Sequence, residues 1–487
     1  MSAFPVGAQR QRRRLVATSI CVALGGCTPF YELAPDVRQR IAAESDGLSP
    51  KISDHEDVRR VAERAAHGVL ADPAPIAVRD GSGLADYIRW ALDRNPRLQA
   101  RVRDIEALGM RVPQVSSLGD PMLSLVPPTG DLVQTAGGAM QAAVGLSQGL
   151  PWPGKLETLG KVAEHVVRIA ISNLDTERLR VVADVKQAYF DLYRARVSID
   201  VSRALEVLLQ RVRDSAQSRI TTGLASQQDL LRTEVELYAL TNARLDYEQE
   251  STTARARLNV LMDRPVDARL PMPGPLEAAP LQWRLLALLQ RADEFGPQLA
   301  ALRTRIEADL LRVDYADLAY YPDLGLGGLF TFIASGGRSP VADGSDVWNL
   351  NLGVTLPIFR DKLDAGVLQR NAEAIASVHR YRDGRNRVVL ALQQQLARVD
   401  ADYRKAVLLR DGILPRADQA VRVAQTGYDA GTVEFATLLA AWRRLFELTL
   451  DYHRALAALE HGVSEVEYLA GGDLPREEPR EIQEDER

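Results

Sequence analysis

Residues 155–219 read KLETLGKVAEHVVRIAISNLDTERLRVVADVKQAYFDLYRARVSIDVSRALEVLLQRVRDSAQSR, a stretch without proline in which Gly160 is the only glycine. Nothing in it ends a helix, so one helix about 100 Å long is allowed at ~1.5 Å per residue. Its apolar residues recur at spacings of three and four, as in a helix packed in a bundle. One such stripe consists of Val181, Val185, Ala188 and Leu192. The stretch therefore predicts a very long helix in a bundle.

The same plan occurs twice along the chain. Four motifs of the first half recur in the same order in the second half, which chance matches would not do. Asn95-Pro96-Arg97-Leu98 returns as Gly296-Pro297-Gln298-Leu299, Asp120-Pro121 as Tyr321-Pro322, Leu150-Pro151 as Leu356-Pro357, and Gly223 as Gly431. The offset grows from 201 (297 − 96) through 206 (357 − 151) to 208 (431 − 223). This pattern predicts a duplication with small insertions in the loops.

Each repeat is predicted to contain a helix, two strands, a long helix, a turn and a last helix. The first repeat, residues 84–270, has helices predicted at 84–117, 155–220 and 225–262 and strands at 121–127 and 140–148. The second repeat, residues 271–470, has helices predicted at 283–319, 362–429 and 433–469 and strands at 323–334 and 346–356.

The predicted strands alternate between apolar and small or polar residues. In the last strand, Trp348, Leu350, Leu352, Val354 and Leu356 alternate with Val347, Asn349, Asn351, Gly353 and Thr355. A soluble, half-buried sheet gives the same alternation. Four strands cannot close a barrel in lipid, however, whereas three chains supply twelve. The predicted fold class is mainly α with a small transmembrane β part: a long α-helical coiled-coil barrel plus four strands per protomer, with the trimer closing a 12-stranded β-barrel.

Composition and charge exclude several classes of function. The net charge is only −5, with 60 basic residues scattered among 65 acidic ones, so no nucleic-acid partner is expected. The sequence has no phosphate loop, dinucleotide fingerprint or local catalytic constellation, so we expect neither an enzyme nor a cofactor. Its histidines are dispersed and its methionines form no cluster, so no metal site is expected. The six histidines are His55, His67, His165, His379, His453 and His461.

The N-terminus has the features of a bacterial lipoprotein. Arginines precede the apolar run 15–24, which is too short to cross a bilayer as a helix and is typical of a secretory signal. The run ends in Leu-Gly-Gly before Cys27, which resembles a lipoprotein cleavage site. We expect residues 1–26 to be a signal peptide, Cys27 to be lipidated and residues 27–83 to form an extended linker. The alternative is a plain signal peptide with a chance cysteine. The charged residues 471–487 are predicted to form a C-terminal tail.

From residue 84 to 469 the repeats, strands and turns resemble the TolC family of outer-membrane efflux proteins. The most specific match is the strand-to-helix junction formed by Pro151, Trp152, Pro153, Gly154 and Lys155, which resembles the heavy-metal (CzcC/CusC-like) branch. The resemblance implies a homotrimer in outer-membrane lipid, lipid-anchored and extending into the periplasm of a Gram-negative bacterium. It also implies a periplasmic adaptor (a membrane fusion protein) and an inner-membrane pump of the resistance-nodulation-division (RND) type as partners.

The helix reversals resemble the family's periplasmic tips, which meet the adaptor and close the tunnel. The residues at these tips are Gly223, Leu224 and Ser226 in the first repeat and Gly431 and Thr432 in the second. By position, the resemblance gives Asp229 and Tyr428 the role of a contact that holds the tunnel shut; ordinary capping and packing is the alternative. Where some members have an acidic ring and a basic latch, this chain has Thr437, Ala440 and Val433.

The function predicted from these features is a passive channel of a tripartite efflux system for small toxic solutes, including heavy-metal cations. A drug-efflux or type I secretion channel of the same fold is one alternative. A periplasmic coiled-coil lipoprotein scaffold is a second alternative, and a secreted hydrolase is a third.

Overall fold

The structure is a computed structural model that describes residues 82–127, 134–135, 137–221, 227–271, 273–281, 283–335 and 343–475. The predicted signal peptide, Cys27 and the linker up to residue 81 lie outside the described residues. So do the tip residues Gly223, Leu224 and Ser226 and the tail from residue 476 onward.

Long helices account for most of the described chain. The helices of the first repeat are α1 (Leu84–Arg94), α2 (Pro96–Ser116), α3 (Lys155–Thr221) and α4 (Gln227–Leu261). Those of the second are α5 (Leu285–Phe295), α6 (Pro297–Asp317), α7 (Arg360–Val407), α8 (Leu414–Asp429) and α9 (Phe435–Ala470), with a 3₁₀ turn at Leu318–Tyr320 and a π-helical segment at Leu408–Ile413. The uninterrupted helix predicted from residues 155–219 is confirmed. No helix in the described ranges is both long and apolar enough to cross a membrane.

The first helix predicted in each repeat is in fact two helices. The breaks fall at Asn95 and Gly296, each of which precedes a proline. Proline disfavours the α conformation in the residue before it, and Asn95 and Gly296 have ψ of 120° and 109°. The Asn95 side chain then accepts a hydrogen bond from the Arg97 N–H at 3.0 Å and caps α2. The predictions of single helices at 84–117 and 283–319 were therefore wrong at these positions.

The prediction that the insertions between the repeats lie in loops was also wrong in one respect. Buried residues of α7 follow those of α3 at an offset of 207, as in Val167 and Ala374 (374 − 167) and Leu192 and Val399 (399 − 192). Beyond the π-helical segment, corresponding residues of the two repeats are 208 positions apart, as in Gly223 and Gly431. A π-helical turn accommodates one extra residue in a helix, and the Leu414 N–H accordingly bonds to the Leu409 carbonyl. One inserted residue therefore lies inside the long helix of the second repeat.

The strands form one antiparallel sheet with the order β1-β3-β4-β5. They are β1 (Met122–Val126), β2 (Gln134–Thr135), β3 (Gly138–Leu150), β4 (Leu324–Ala334) and β5 (Val347–Val354), and the short β2 pairs with the same side of β3 as β1 does. The four predicted strands are confirmed, and the two-residue β2 is an addition that its length hides from sequence patterns. β4 of the second repeat lies directly beside β3 of the first, so the two repeats share one sheet.

The described residues form two compact units. One contains the sheet, with residues 119–155 and 312–378. The other contains most of the helical residues, and one of its cores brings together buried side chains of α1, α2, α3 and α4, including Tyr87, Ile105, Val181 and Leu258. The heptad-spaced stripe of α3 lies in this core, as its spacing predicted.

Candidate functional site

One face of the sheet is apolar and exposed. Leu125 of β1, Val144 of β3, Phe330 of β4 and Trp348 of β5 lie in register across the four strands. On β5, the exposed fractions of Trp348, Leu350 and Leu352 are 74%, 68% and 72%. An apolar surface of this extent marks an interaction with lipid or with another protein. The predicted alternation is therefore clearest along this row and on β5.

The opposite face of the sheet has chiefly small and polar side chains, with Met122, Val126, Leu329, Ile333 and Val347 as its larger apolar members. Its residues on β3 and β4 are more enclosed, as shown by Ala143 and Thr331, whose exposed fractions are 1% and 8%. The other members of this face include Ser124, Gly145, Ser147, Gly325, Gly327, Asn349 and Asn351. The two faces thus differ in polarity in the sense needed by a sheet with lipid on one side and water on the other.

Both edges of the sheet are open among the described residues. β1 and β5 are its outer strands, and every residue of β5 is exposed. Unpaired backbone N–H and C=O groups along an edge pair readily with a strand from another chain. β1 and β4 run in the same direction, opposite to β3 and β5, so β5 of one copy can meet β1 of another in antiparallel orientation.

The strand-to-helix junction is held by a compact polar and aromatic cluster. The Lys155 Nζ donates to Asp323 Oδ1 at 2.7 Å and to the Tyr321 carbonyl at 3.2 Å. The backbone N–H of Trp152 donates to Asp323 Oδ1 at 2.7 Å. The Trp152 indole stacks on the Tyr321 ring, with the ring centroids 5.2 Å apart. Gly154 has a φ of +96°, which a residue with a Cβ rarely adopts. The sequence identified this junction but did not identify Tyr321 and Asp323 as its partners.

Electrostatics explain why Lys155 needs those partners. A lysine at a helix N-terminus faces the positive end of the helix dipole, which is unfavourable. The side chain is nevertheless largely buried, and Asp323 compensates its charge. Burial raises the pKa of Asp323, but the hydrogen bonds from Lys155 and Trp152 outweigh it and leave that pKa below its usual value. The sequence showed only a lysine at the start of a predicted helix, and its burial beside Asp323 became evident in the structure.

Tyr320, the residue before Tyr321, contacts the first turn of α7. The Tyr320 hydroxyl donates to an Asp364 carboxylate oxygen, and the Arg360 guanidinium lies 5.6 Å from the centroid of the Tyr320 ring. Burial and the hydrogen bond to Asp364 raise the pKa of Tyr320 to about 12. Two adjacent tyrosines therefore contact the first turns of both α3 and α7.

The reversal between α8 and α9 is a Schellman motif. The Thr432 N–H donates to the Gly427 carbonyl at 2.8 Å and the Gly431 N–H to the Tyr428 carbonyl at 3.1 Å. Gly431 has a φ of +72°, the left-handed conformation that this motif requires. Gly427 lies so close to the Val433 side chain that a Cβ would collide with it. A glycine is the residue that adopts the left-handed conformation most readily.

Gly431→Val should destabilise the protein by about 1–2 kcal/mol, because a β-branched residue is strained in the left-handed region. No atom lies near the position of an added Cβ, so the backbone alone causes the loss. The midpoint of urea unfolding in detergent measures the change. Gly366→Ala in α7 is the matched control and should leave the midpoint unchanged or raise it. An unchanged midpoint for the valine variant would contradict this assignment.

The two predicted gate residues lie near the ends of the two hairpins. The Tyr428 ring lies 5.7 Å from that of Phe435, and Tyr428 packs on a core that includes Ala424 and Leu438. Asp229 lies in the first turn of α4, where its carbonyl accepts the Thr233 hydroxyl at 2.8 Å. Their pairing across the tunnel stays a prediction, as does the docking role of Gly431 and Thr432.

A groove of about 680 Å³ lies between the first turns of α4 and α9. Its apolar lining includes Leu231, Val235, Ala436, Leu439 and Ala440, and its polar lining includes Arg232, Glu236, Arg443, Arg444 and Glu447. The Arg443 guanidinium lies 3.2 Å from the Glu236 carboxylate and connects the two helices. A groove lined by both apolar and charged side chains is suited to an amphipathic helix. The sequence did not predict this groove, because its lining residues come from helices some 200 positions apart.

The described residues contain no group of three or more His, Cys, Asp or Glu side chains placed to hold a metal ion. His453 and His461, the pair on one helix, each have another contact. His453 Nδ1 lies 3.0 Å from the Tyr193 hydroxyl, and His461 Nε2 lies 3.0 Å from the Gln187 carbonyl. Burial lowers the pKa of His453. Both histidines therefore connect α9 to α3.

A family model described as "Outer membrane efflux protein" matches residues 88–263 and 288–471 of the chain. The chain belongs to this family. The resemblance to the TolC family is thereby confirmed. The outer membrane efflux family consists of channel proteins of the outer membrane rather than enzymes.

Other efflux proteins are similar to the chain over most of its length. The cobalt-zinc-cadmium resistance protein CzcC of Cupriavidus metallidurans is 22% identical over 404 residues, covering 82% of this chain and 92% of CzcC. The crystal structure of CusC gives a TM-score of 0.67 at 16% identity over 82% of this chain and 98% of that one. The Campylobacter jejuni CmeC outer membrane channel gives 0.68 at 15% identity over 88% and 96% of the two chains. These solved structures show that the chain has the fold of this efflux family.

Proposed function

We propose that three copies of this chain form the outer-membrane channel of a tripartite efflux system that exports heavy-metal cations. The observation that carries this proposal is the sheet with an exposed apolar face and two open edges. A face of this kind is stable in lipid only when the edges are paired. Three copies of a four-stranded antiparallel sheet provide twelve strands with an even, fully antiparallel order.

The pump and the adaptor are the proposed partners. Members of the efflux family are channels rather than enzymes, and the proposed source of energy is an inner-membrane RND pump. The groove between α4 and α9 suits a helical hairpin of a periplasmic adaptor, because both apolar side chains and arginines and glutamates line it. The reversal at Gly431 and Thr432 and its counterpart at Gly223, Leu224 and Ser226 complete the proposed docking tip. Lipid attached to Cys27 would add a second attachment to the outer membrane.

The proposed cargo rests on similarity to a heavy-metal branch. CzcC is named as a cobalt, zinc and cadmium resistance protein, and the junction at 151–155 resembles that branch. The walls of a channel select weakly, so the pump sets most of the specificity. Drugs and secreted proteins are the alternative cargoes for the same fold.

Deleting the gene should sensitise the strain to zinc, cobalt or cadmium, and complementation should restore growth. The measurement is growth of the deletion strain, the complemented strain and the parent across these metals, copper, silver and a panel of hydrophobic drugs. Sensitivity to drugs with normal metal tolerance would keep the channel and overturn the proposed cargo. Normal growth in every condition would contradict a role in efflux of these solutes.

Asp229→Ala and Tyr428→Phe should each open the closed tips if the two side chains hold the tunnel shut. We expect several-fold greater sensitivity to vancomycin, which is too large for ordinary porins, and a higher conductance in planar bilayers. Glu248→Ala is the matched control, because this exposed carboxylate lies on α4 well away from the tip. Unchanged conductance in both variants would assign these residues to capping and packing.

A further inference from the structure

The junction of the first repeat joins two neighbouring strands. Lys155 begins the helix that follows β3, and its ammonium group lies 2.7 Å from Asp323, which immediately precedes β4. β4 is the strand that pairs with β3. The ion pair therefore connects the end of one strand to the start of the next.

In the helix register of the second repeat, Lys362 takes the position of Lys155, one residue beyond the offset of 206 at the preceding Leu-Pro pair. The buried residues of α3 and α7 correspond at an offset of 207, as in Leu174 and Tyr381 (381 − 174). Lys362 lies at the same offset from Lys155 (362 − 155), in the first turn of the helix that follows β5. It is exposed and has no hydrogen bond or ion pair among the described residues of its own copy.

By strand register, Asp120 takes the position that Asp323 has in the other pair of strands, although the sequence motifs align Asp120 with Tyr321. The Asp323 carbonyl accepts from the N–H of Thr355 at 2.9 Å, and Thr355 immediately precedes the Leu-Pro pair that ends the strand region. Met122 pairs with Ser147, and continuing this register by two residues places Asp120 opposite Gly149, which immediately precedes Leu150-Pro151. Asp120 is exposed and likewise makes no ion pair within the described part of its own copy.

Lys362 and Asp120 of one copy cannot meet. Lys362 follows β5 at one edge of the sheet, and Asp120 precedes β1 at the other edge. Three strand spacings of ~4.8 Å separate these edges. The strand that lies beside β5 has to come from another molecule.

We propose that Lys362 forms an ion pair with Asp120 of the partner subunit, where β5 of one copy meets β1 of the next. This inference rests on the proposed trimer and names the contact that closes it. The opposite charges, the open edges and the repeat of the Lys155–Asp323 geometry all favour a second copy of this chain as the occupant. Asp361 lies next to Lys362 and Asp364 two positions further on, and side chains one or two positions apart on a helix do not face each other. Asp364 accepts from the Tyr320 hydroxyl.

Chemical cross-linking tests the geometry directly. Asp120→Cys and Lys362→Cys are combined in one chain, and outer membranes are treated with a bismaleimide about as long as an extended lysine side chain. Covalent dimers and trimers on reducing, denaturing gels are the expected result, while either single variant stays a monomer. Lys155→Cys with Asp323→Cys is the matched control, because these positions lie in one chain and their linkage gives no multimers.

Exchanging the two charges provides a second test. Both side chains are exposed in an isolated protomer, so the substitutions should not disturb its fold. Asp120→Lys and Lys362→Asp should each lower the temperature at which the trimer dissociates in detergent, and the double exchange should restore it. A wild-type trimer with no cross-linked multimers, and with no restoration by the exchange, would overturn the ion pair and leave the channel intact. A wild-type protein that is monomeric in native gels and in membranes would overturn the proposed trimer itself.

Discussion

Leu350→Arg is expected to abolish accumulation of the protein in the outer membrane, whereas Asn351→Arg should leave accumulation nearly normal. Leu350 lies near the middle of β5 on the apolar face and is 68% exposed. An arginine facing lipid near the bilayer midplane costs on the order of 2–4 kcal/mol. A symmetric trimer incurs that cost three times. Asn351 lies on the opposite face, where the proposed channel holds water.

The measurement is quantitative immunoblotting of outer-membrane fractions, together with detection of the trimer in mild detergent. Asn351→Arg is the matched control, because it adds the same side chain one position away on the same strand. Equal loss of both variants would show that β5 tolerates no large residue on either face. Equal accumulation of both would contradict a lipid-facing role for the apolar side.

Lys155→Met should lower the free energy of unfolding by about 1–3 kcal/mol, because it removes the partner of Asp323 and a donor to the Tyr321 carbonyl. Methionine retains most of the apolar length of the side chain, so the lost charge is the main change. The same substitution should loosen the Trp152–Tyr321 stack and raise the fluorescence response of Trp152 to quenchers.

Lys161→Met is the matched control for that variant. Its ammonium group pairs with Glu157 one turn earlier on the exposed side of the same helix, and such a pair contributes about 0.3–0.5 kcal/mol. Urea unfolding in detergent, followed by circular dichroism, compares the two variants. Equal midpoints for them would show that the junction does not depend on the buried ion pair.

Sequence patterns predicted the parts of the fold that depend on local periodicity. A heptad stripe identified α3, and alternation of period two identified four strands, because both patterns repeat within a few residues of the chain. The breaks at Asn95 and Gly296 carried a local signal as well, since each precedes a proline, but helix was predicted through both. The π-helical segment has no such local signal. It results from one extra residue in the long helix of the second repeat, which becomes evident only when the two repeats are compared.

The candidate sites depend more than the helices and strands do on contacts between residues that are far apart in the sequence. Lys155 and Asp323 are 168 residues apart, and no spacing rule relates them. The groove between α4 and α9 likewise exists only after folding. Gly431 could be predicted because a tight helix reversal requires a local backbone conformation. The gate role of Asp229 and Tyr428 and the lipidation of Cys27 rest on resemblance and remain predictions.

The π-helical turn at Leu408–Ile413 also has an angular consequence. One residue added to a regular α-helix turns everything beyond it by about 100° around the helix axis. Such a rotation would carry Ala424 and Tyr428 out of the core in which they lie. The wider turn absorbs the extra residue, so the side chains beyond it keep the same azimuth as those before it. One residue can therefore be inserted into this helix without changing the direction in which the side chains at the end of α8 point.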